Sequence, residues 1–159
     1  MNRKIVFRST LFVAMLGFVL LFSSCKEEKK IIGKWKFEKM EIKELSCSDP
    51  VTEAFIRLGI AMASSADVSG LGGVIEFTKD GKAISYTESG NETLTYKVNG
   101  NKLTITNKDG ETVKCDCSFP EKKTMLLIVN VLEQDGTDST ELYKEKITKF
   151  VVGTTYTKQ

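Results

Sequence analysis

The chain has 159 residues, 41% of them hydrophobic and 28% charged, with 23 Lys+Arg against 21 Asp+Glu. That balance fits one domain plus a leader and excludes a chain that is disordered or embedded throughout in a membrane. Arg3, Lys4 and Arg8 precede residue 25 and no acid does, so the remainder holds 20 bases against 21 acids, without the basic field that binds nucleic acid.

The first element is a leader. MNRKIVFRST is basic and polar, and Leu11 to Phe22 is apolar. That run is shorter than the roughly 20 residues a spanning helix needs, but it fits the core of a signal peptide. It ends in Phe22-Ser23-Ser24-Cys25. Small residues before a cysteine suit a peptidase pocket, and the thiol can form a thioether to diacylglycerol. This end resembles the lipobox of bacterial lipoproteins, which implies lipidation of Cys25, cleavage before it and stable anchoring by several acyl chains. The alternatives are an ordinary signal peptide followed by a free thiol, or an uncleaved anchor. Lys26-Glu27-Glu28-Lys29-Lys30 follows as a solvated tether. A lysine and two acids at that place also resemble the export signal of surface lipoproteins in Bacteroidetes, which implies an outer-membrane protein on the cell surface. A position facing the periplasm is the alternative. The expected organisation is a leader over 1–24, lipidated Cys25 with its tether to residue 30, and one domain over 31–159.

From residue 31 the chain reads as a meander. Asp80-Gly81, Gly90-Asn91, Asn99-Gly100-Asn101, Asp109-Gly110 and Pro120 punctuate it about every ten residues, as hairpin turns do. Between the turns the apolar residues alternate. Ile75 and Phe77 share one face, as do Ile84 and Tyr86, then Leu94, Tyr96 and Val98, then Leu103 and Ile105, then Val113, Cys115, Cys117 and Phe119. A period of two means each strand buries one side, and a sheet with one oily face must close or pack. The expected fold is mainly β: an antiparallel up-and-down barrel of about eight strands. Met125 to Leu132 is apolar on both faces apart from Asn130, so a cover is expected outside it, and a helix could supply that cover. A last strand is expected within Leu142–Thr157, with Phe150, Val151 and Val152 in the core.

One helix is expected after strand one. Asp49 is its N-cap and Pro50 its first residue. Val51, Phe55, Leu58 and Met62 form a stripe at helical spacing, and Ser64, Ser65, Gly70 and Gly72-Gly73 end it. The expected role of the stripe is core packing, either across one mouth of the barrel or outside it, with a gated lid as the alternative.

Strand one reads Ile31-Ile32-Gly33-Lys34-Trp35-Lys36-Phe37. Gly-x-Trp at the start of strand one, ahead of an antiparallel meander, resembles the lipocalin and wider calycin pattern. It is also similar to lipocalin-like lipoproteins of Bacteroidetes whose function is unknown. The later matches are Phe77-Thr78-Lys79-Asp80-Gly81, Tyr96-Lys97-Val98 and Leu103-Thr104-Ile105. The resemblance implies that Gly33 and Trp35 close the barrel floor under a basic residue of the last strand. The chain has no arginine after Arg57, so a lysine such as Lys144 or Lys146 is expected there.

The chain has no histidine. That removes the commonest general base near neutral pH, the Ser/His and Cys/His pairings and the commonest metal ligand. With no phosphate-cradling glycine loop and no carboxylate pair at a telling spacing, neither an enzyme, a cofactor nor a metal site is expected. Cys47, Cys115 and Cys117 lie outside the leader, in a compartment that permits disulfides. A bond from Cys47 to Cys115 or Cys117 would staple the first connection to the barrel; the alternative is three thiols packed as small apolar groups. Asp138-Ser139-Thr140 resembles a short O-glycosylation motif of Bacteroidetes. The functional expectation is binding of a small apolar or amphipathic ligand inside the barrel, lined by Phe77, Tyr86, Tyr96, Phe119 and Phe55. The alternative is a filled envelope barrel that acts by contact with a protein or glycan.

Overall fold

The computed structural model describes residues 28–65, 73–87, 90–134 and 145–159. Eight strands form one closed barrel in sequence order: β1 Gly33–Cys47, β2 Val74–Phe77, β3 Lys82–Thr87, β4 Gly90–Asn99, β5 Lys102–Thr106, β6 Thr112–Glu121, β7 Thr124–Asn130 and β8 Ile147–Lys158. Every neighbouring pair is antiparallel, and β1 meets β8 to shut the ring. The mainly-β meander barrel with one helix after strand one is therefore what the chain forms. Closure is the physical answer to one-sided strands, because it buries every oily face and leaves no open edge.

The hairpin glycines turn where the sequence places them: Gly81, Gly100 and Gly110 have φ of 78°, 62° and 87°. Pro120 does not turn the chain. It lies inside β6 at a register shift between Ser118 and Glu121, and the turn follows at Lys122-Lys123. A residue without an N–H fits a bulge, where the ladder is already interrupted.

The interior is filled at one end. Trp35, Phe77, Ala83, Leu103 and Met125 are almost fully buried there, with Cys117 and Tyr96 beside them. The rings of Phe77 and Tyr96 meet edge to face at 5.0 Å, those of Phe37 and Tyr156 at 6.0 Å. This end, where β1 starts, is the floor; the end where β2 starts is the mouth.

Strand β3 faces the opposite way from its expected phase. Ala83 is fully buried and Ser85 points inward, which puts Ile84 and Tyr86 outside. Ala83 pairs with Phe77 and Leu94, and the rings of Phe77 and Tyr96 already occupy the narrow floor, so only a small residue fits between them. Tyr86 instead donates its hydroxyl to Glu76 at 2.7 Å on the outer wall, with the Lys34 ammonium 5.2 Å from its ring.

Strand β1 is much longer than β2. It pairs with β2 only from Gly33 to Lys36 but with β8 from Trp35 to Cys47, bending through three register shifts. Its far half and β8 thus rise past the rim as a ribbon. Helix α1, Pro50–Ser65, turns back and lies along β1, tied by a Ser64 hydroxyl bond to the carbonyl of Met40. Asp49 caps it as expected, accepting from the Val51 amide at 3.3 Å and the Thr52 hydroxyl at 2.5 Å. The stripe expected to pack inward does not: Val51, Phe55, Leu58 and Met62 are between 56% and 69% exposed. A second stripe, Thr52, Ile56, Ile60 and Ala63, is the sheltered one. Two apolar stripes compete for one docking face, and the β-branched, flatter one lies against the ribbon. The helix does not cover β7, which ends at Asn130 and runs into the 3₁₀ turn Val131–Glu133.

Candidate functional site

The floor is built around Trp35. Residues 28–31 are helical, and Ile31 packs beneath the indole while its carbonyl accepts the indole N–H at 2.6 Å. Phe119 lies against the indole at 5.7 Å between centroids. The cation over Trp35 is Lys158, 5.1 Å from its ring and 3.0 Å from the carbonyl of Ile32. Of the two expected partners, Lys146 pairs instead with Asp49 near the start of α1, and Lys144 lies outside the described residues. The signal was in the register, since Trp35 stands opposite Lys158 once the barrel closes. Gly33 has φ 127°, and a Cβ there would come within 3.0 Å of the Lys158 chain, so glycine gives both the bend and the room for the cation.

Above the filled floor the barrel opens into a cavity of 210 Å³ at the mouth. Ile75, Leu94, Ile105, Leu127 and Val129 form its apolar wall, and Val113 stands at the rim, 45% exposed. Ser85, Thr154, Tyr156 and Cys115 supply the few polar atoms. Burial, and then the charge of Asp116, pushes the Cys115 thiol up to about 12; burial raises the Tyr156 phenol likewise to about 12. Both groups are therefore neutral at physiological pH, and the cavity offers hydroxyl and thiol dipoles but no charge. Gly73 lets β2 begin at this rim. It accepts from the Phe37 amide, and a Cβ there would meet the Tyr86 carbonyl at 2.0 Å.

The structure separates the five residues expected to line a ligand site. Phe77 and Tyr96 fill the floor, and the Tyr96 hydroxyl is spent on the carbonyl of Thr78 at 2.8 Å. Phe119 lies below the floor, beside a shallow depression that also touches Lys30, Lys122 and Lys158. Tyr86 is on the outer wall, and Phe55 is 69% exposed on α1. The cavity is instead lined by aliphatic residues one step nearer the mouth on the same strand faces, together with Thr154 and Tyr156 of β8. An expectation built on aromatic residues passed over them, although their alternation with the floor residues was visible.

Cys47, Cys115 and Cys117 are free thiols. Cys47 sits at the far end of β1 and donates to the carbonyl of Asp49, while Cys115 and Cys117 point into the barrel, so no bond staples the first connection. Among the described residues no group of three His, Cys, Asp or Glu side chains could hold a metal. Cys25, Ser139 and Thr140 lie outside the described residues.

A closed eight-stranded meander, a tryptophan floor under a cation and an apolar cavity at the open end define the lipocalin-like class of barrel, a generally binding and non-catalytic fold. A family profile described as lipocalin-like domain matches residues 31–124, and the chain belongs to that family. Comparison with curated proteins and with solved structures gives no match.

Proposed function

We propose that this protein is a membrane-anchored lipocalin-like lipoprotein that binds a small apolar or amphipathic ligand at the barrel mouth. The observation that carries the reading is the open cavity of 210 Å³ with an aliphatic wall and a few uncharged polar atoms. That is below the roughly 300–1,000 Å³ of pockets for drug-sized molecules, so it suits a single short chain or one ring, with the rest of the ligand outside. Ser85, Thr154 and the Tyr156 hydroxyl give an entering polar group partners near the wall. The basic start, short apolar core and Phe22-Ser23-Ser24-Cys25 end support lipidation of Cys25, with the chain held to the outer membrane of a Bacteroidetes-type cell, on its cell surface or its periplasmic face.

Native mass spectrometry against short-chain lipids and single-ring compounds tests the ligand. Binding should be lost in Leu94→Trp or Ile105→Trp, which fill the cavity, while the near-ultraviolet signal of Trp35 persists. If no compound binds across the panel, the ligand reading falls and contact with an envelope protein or glycan becomes the better account.

A further inference from the structure

The two ends of the barrel carry opposite charge. Segments 28–34, 78–82, 99–102, 121–124 and 158–159 make up the floor end and hold nine lysines against three acidic side chains. At the mouth end the described segments 48–65, 90–92, 107–111, 131–134 and 145–146 hold seven acids against three bases. A chain that is nearly neutral after its leader therefore has a strong dipole along the barrel axis. Some floor lysines are engaged: Lys34 with Glu76, Lys82 with Asp80 and Lys102 with Asp116. Lys29, Lys79, Lys122 and Lys123 make no ion pair among the described residues. At this end lies the depression of 370 Å³, where Lys30, Lys122 and Lys158 outnumber Glu121 around Phe119 and Pro120.

We infer that the floor end is a docking face for the anionic headgroups of a bilayer, and that it seats the barrel upright with its mouth away from the membrane. Two observations converge. Lys29, Lys79, Lys122 and Lys123, at the same end as a partly apolar depression, complement lipid phosphates. The chain also enters the described structure at this end: Cys25 is three residues before residue 28, so a lipid on it lies at most about 11 Å of chain away. The acidic mouth is repelled by the same surface, which fixes the orientation. This inference rests on the lipoprotein reading for its tether, while the charge of the floor is independent of it.

The test is amide hydrogen exchange of the purified protein on phosphatidylcholine vesicles with and without phosphatidylglycerol. Exchange should slow at 29–34 and 121–124 only on the anionic vesicles, with no change at 107–111, and raised salt should remove the effect. Lys122→Glu with Lys123→Glu should weaken binding to anionic vesicles by about tenfold or more. Protection that ignores lipid charge, or that appears at the mouth segments, overturns the docking face. The mass of the mature N-terminus reads the anchor separately. Lipidated protein without charge-dependent protection overturns docking and leaves the anchor; charge-dependent protection on protein without lipid keeps docking and removes the anchor.

Discussion

Trp35 gathers the floor of the barrel. It is about 1% exposed and holds the Ile31 carbonyl, Phe119 and Lys158 around one ring. Trp35→Ala is expected to cost about 3–5 kcal/mol, the range for deleting a large buried aromatic group, read as a shift in the urea midpoint. Lys158→Ala should cost less, about 1 kcal/mol, because it removes a cation–π contact from a half-exposed site. Cys115 and Tyr156 make a second prediction at this scale. Their ordinary values are 9.0 and 10.0, and both are raised to about 12 in the fold. The native state thus favours the neutral thiol and phenol, a contribution fully present below pH 9 and lost as pH rises from 9 toward 12. Melting temperature should be flat between about pH 5 and 9 and fall above that range. Cys115→Ala should delay the onset toward pH 10, and an unchanged profile would show that the thiol is not buried as described.

Helix α1 shows what an element decides. Its cap was legible because Asp49-Pro50 is a local signal: the carboxylate needs only amides and hydroxyls within its own first turn. Hydrogen bonds from Thr52 and then Lys146 hold Asp49 down at about 2, below its ordinary 3.8. That contribution is present above pH 4 and is lost as pH falls from about 4 toward 2. Asp49→Asn should flatten the acid limb of a helix-monitored titration and reduce helix content at neutral pH. The docked face of the helix was not legible, because Val51, Phe55, Leu58 and Met62 and the rival set Ile56, Ile60 and Ala63 both recur at helical spacing. Phe55→Ser or Leu58→Ser should change stability by no more than about 0.5 kcal/mol, as exposed substitutions do, whereas Ile56→Ala or Ile60→Ala should cost about 1–2 kcal/mol in the same denaturant titration. The reverse order would place the helix the other way round.

At the scale of the whole molecule, the cavity and the dipole act together. The cavity has no charge of its own, but its rim belongs to the acidic end, where Glu92, Asp109, Glu111 and Glu133 lie close to the strand ends that bound it. A field of one sign at a low-dielectric opening biases which ligand heads approach. For chains of equal length, neutral or cationic amphiphiles should bind more tightly than carboxylates in a displacement titration, and the difference should shrink as salt rises. Equal affinities at low salt would show that the rim takes no part in selection.

What the residues determined alone was the alternation, the turns, the helix cap and hence a meander of one-sided strands, because each depends on neighbours within a few positions. The length and composition of the strands also made closure the expected way to hide their oily faces. What only the tertiary structure decided was phase and partnership. It turned Ala83 rather than Tyr86 inward because the floor was already full, and it chose between the two stripes of α1. It also brought Lys158 across more than a hundred positions of sequence to Trp35. These choices turn on volume and register between segments remote in the chain, and such quantities exist only once the barrel has closed.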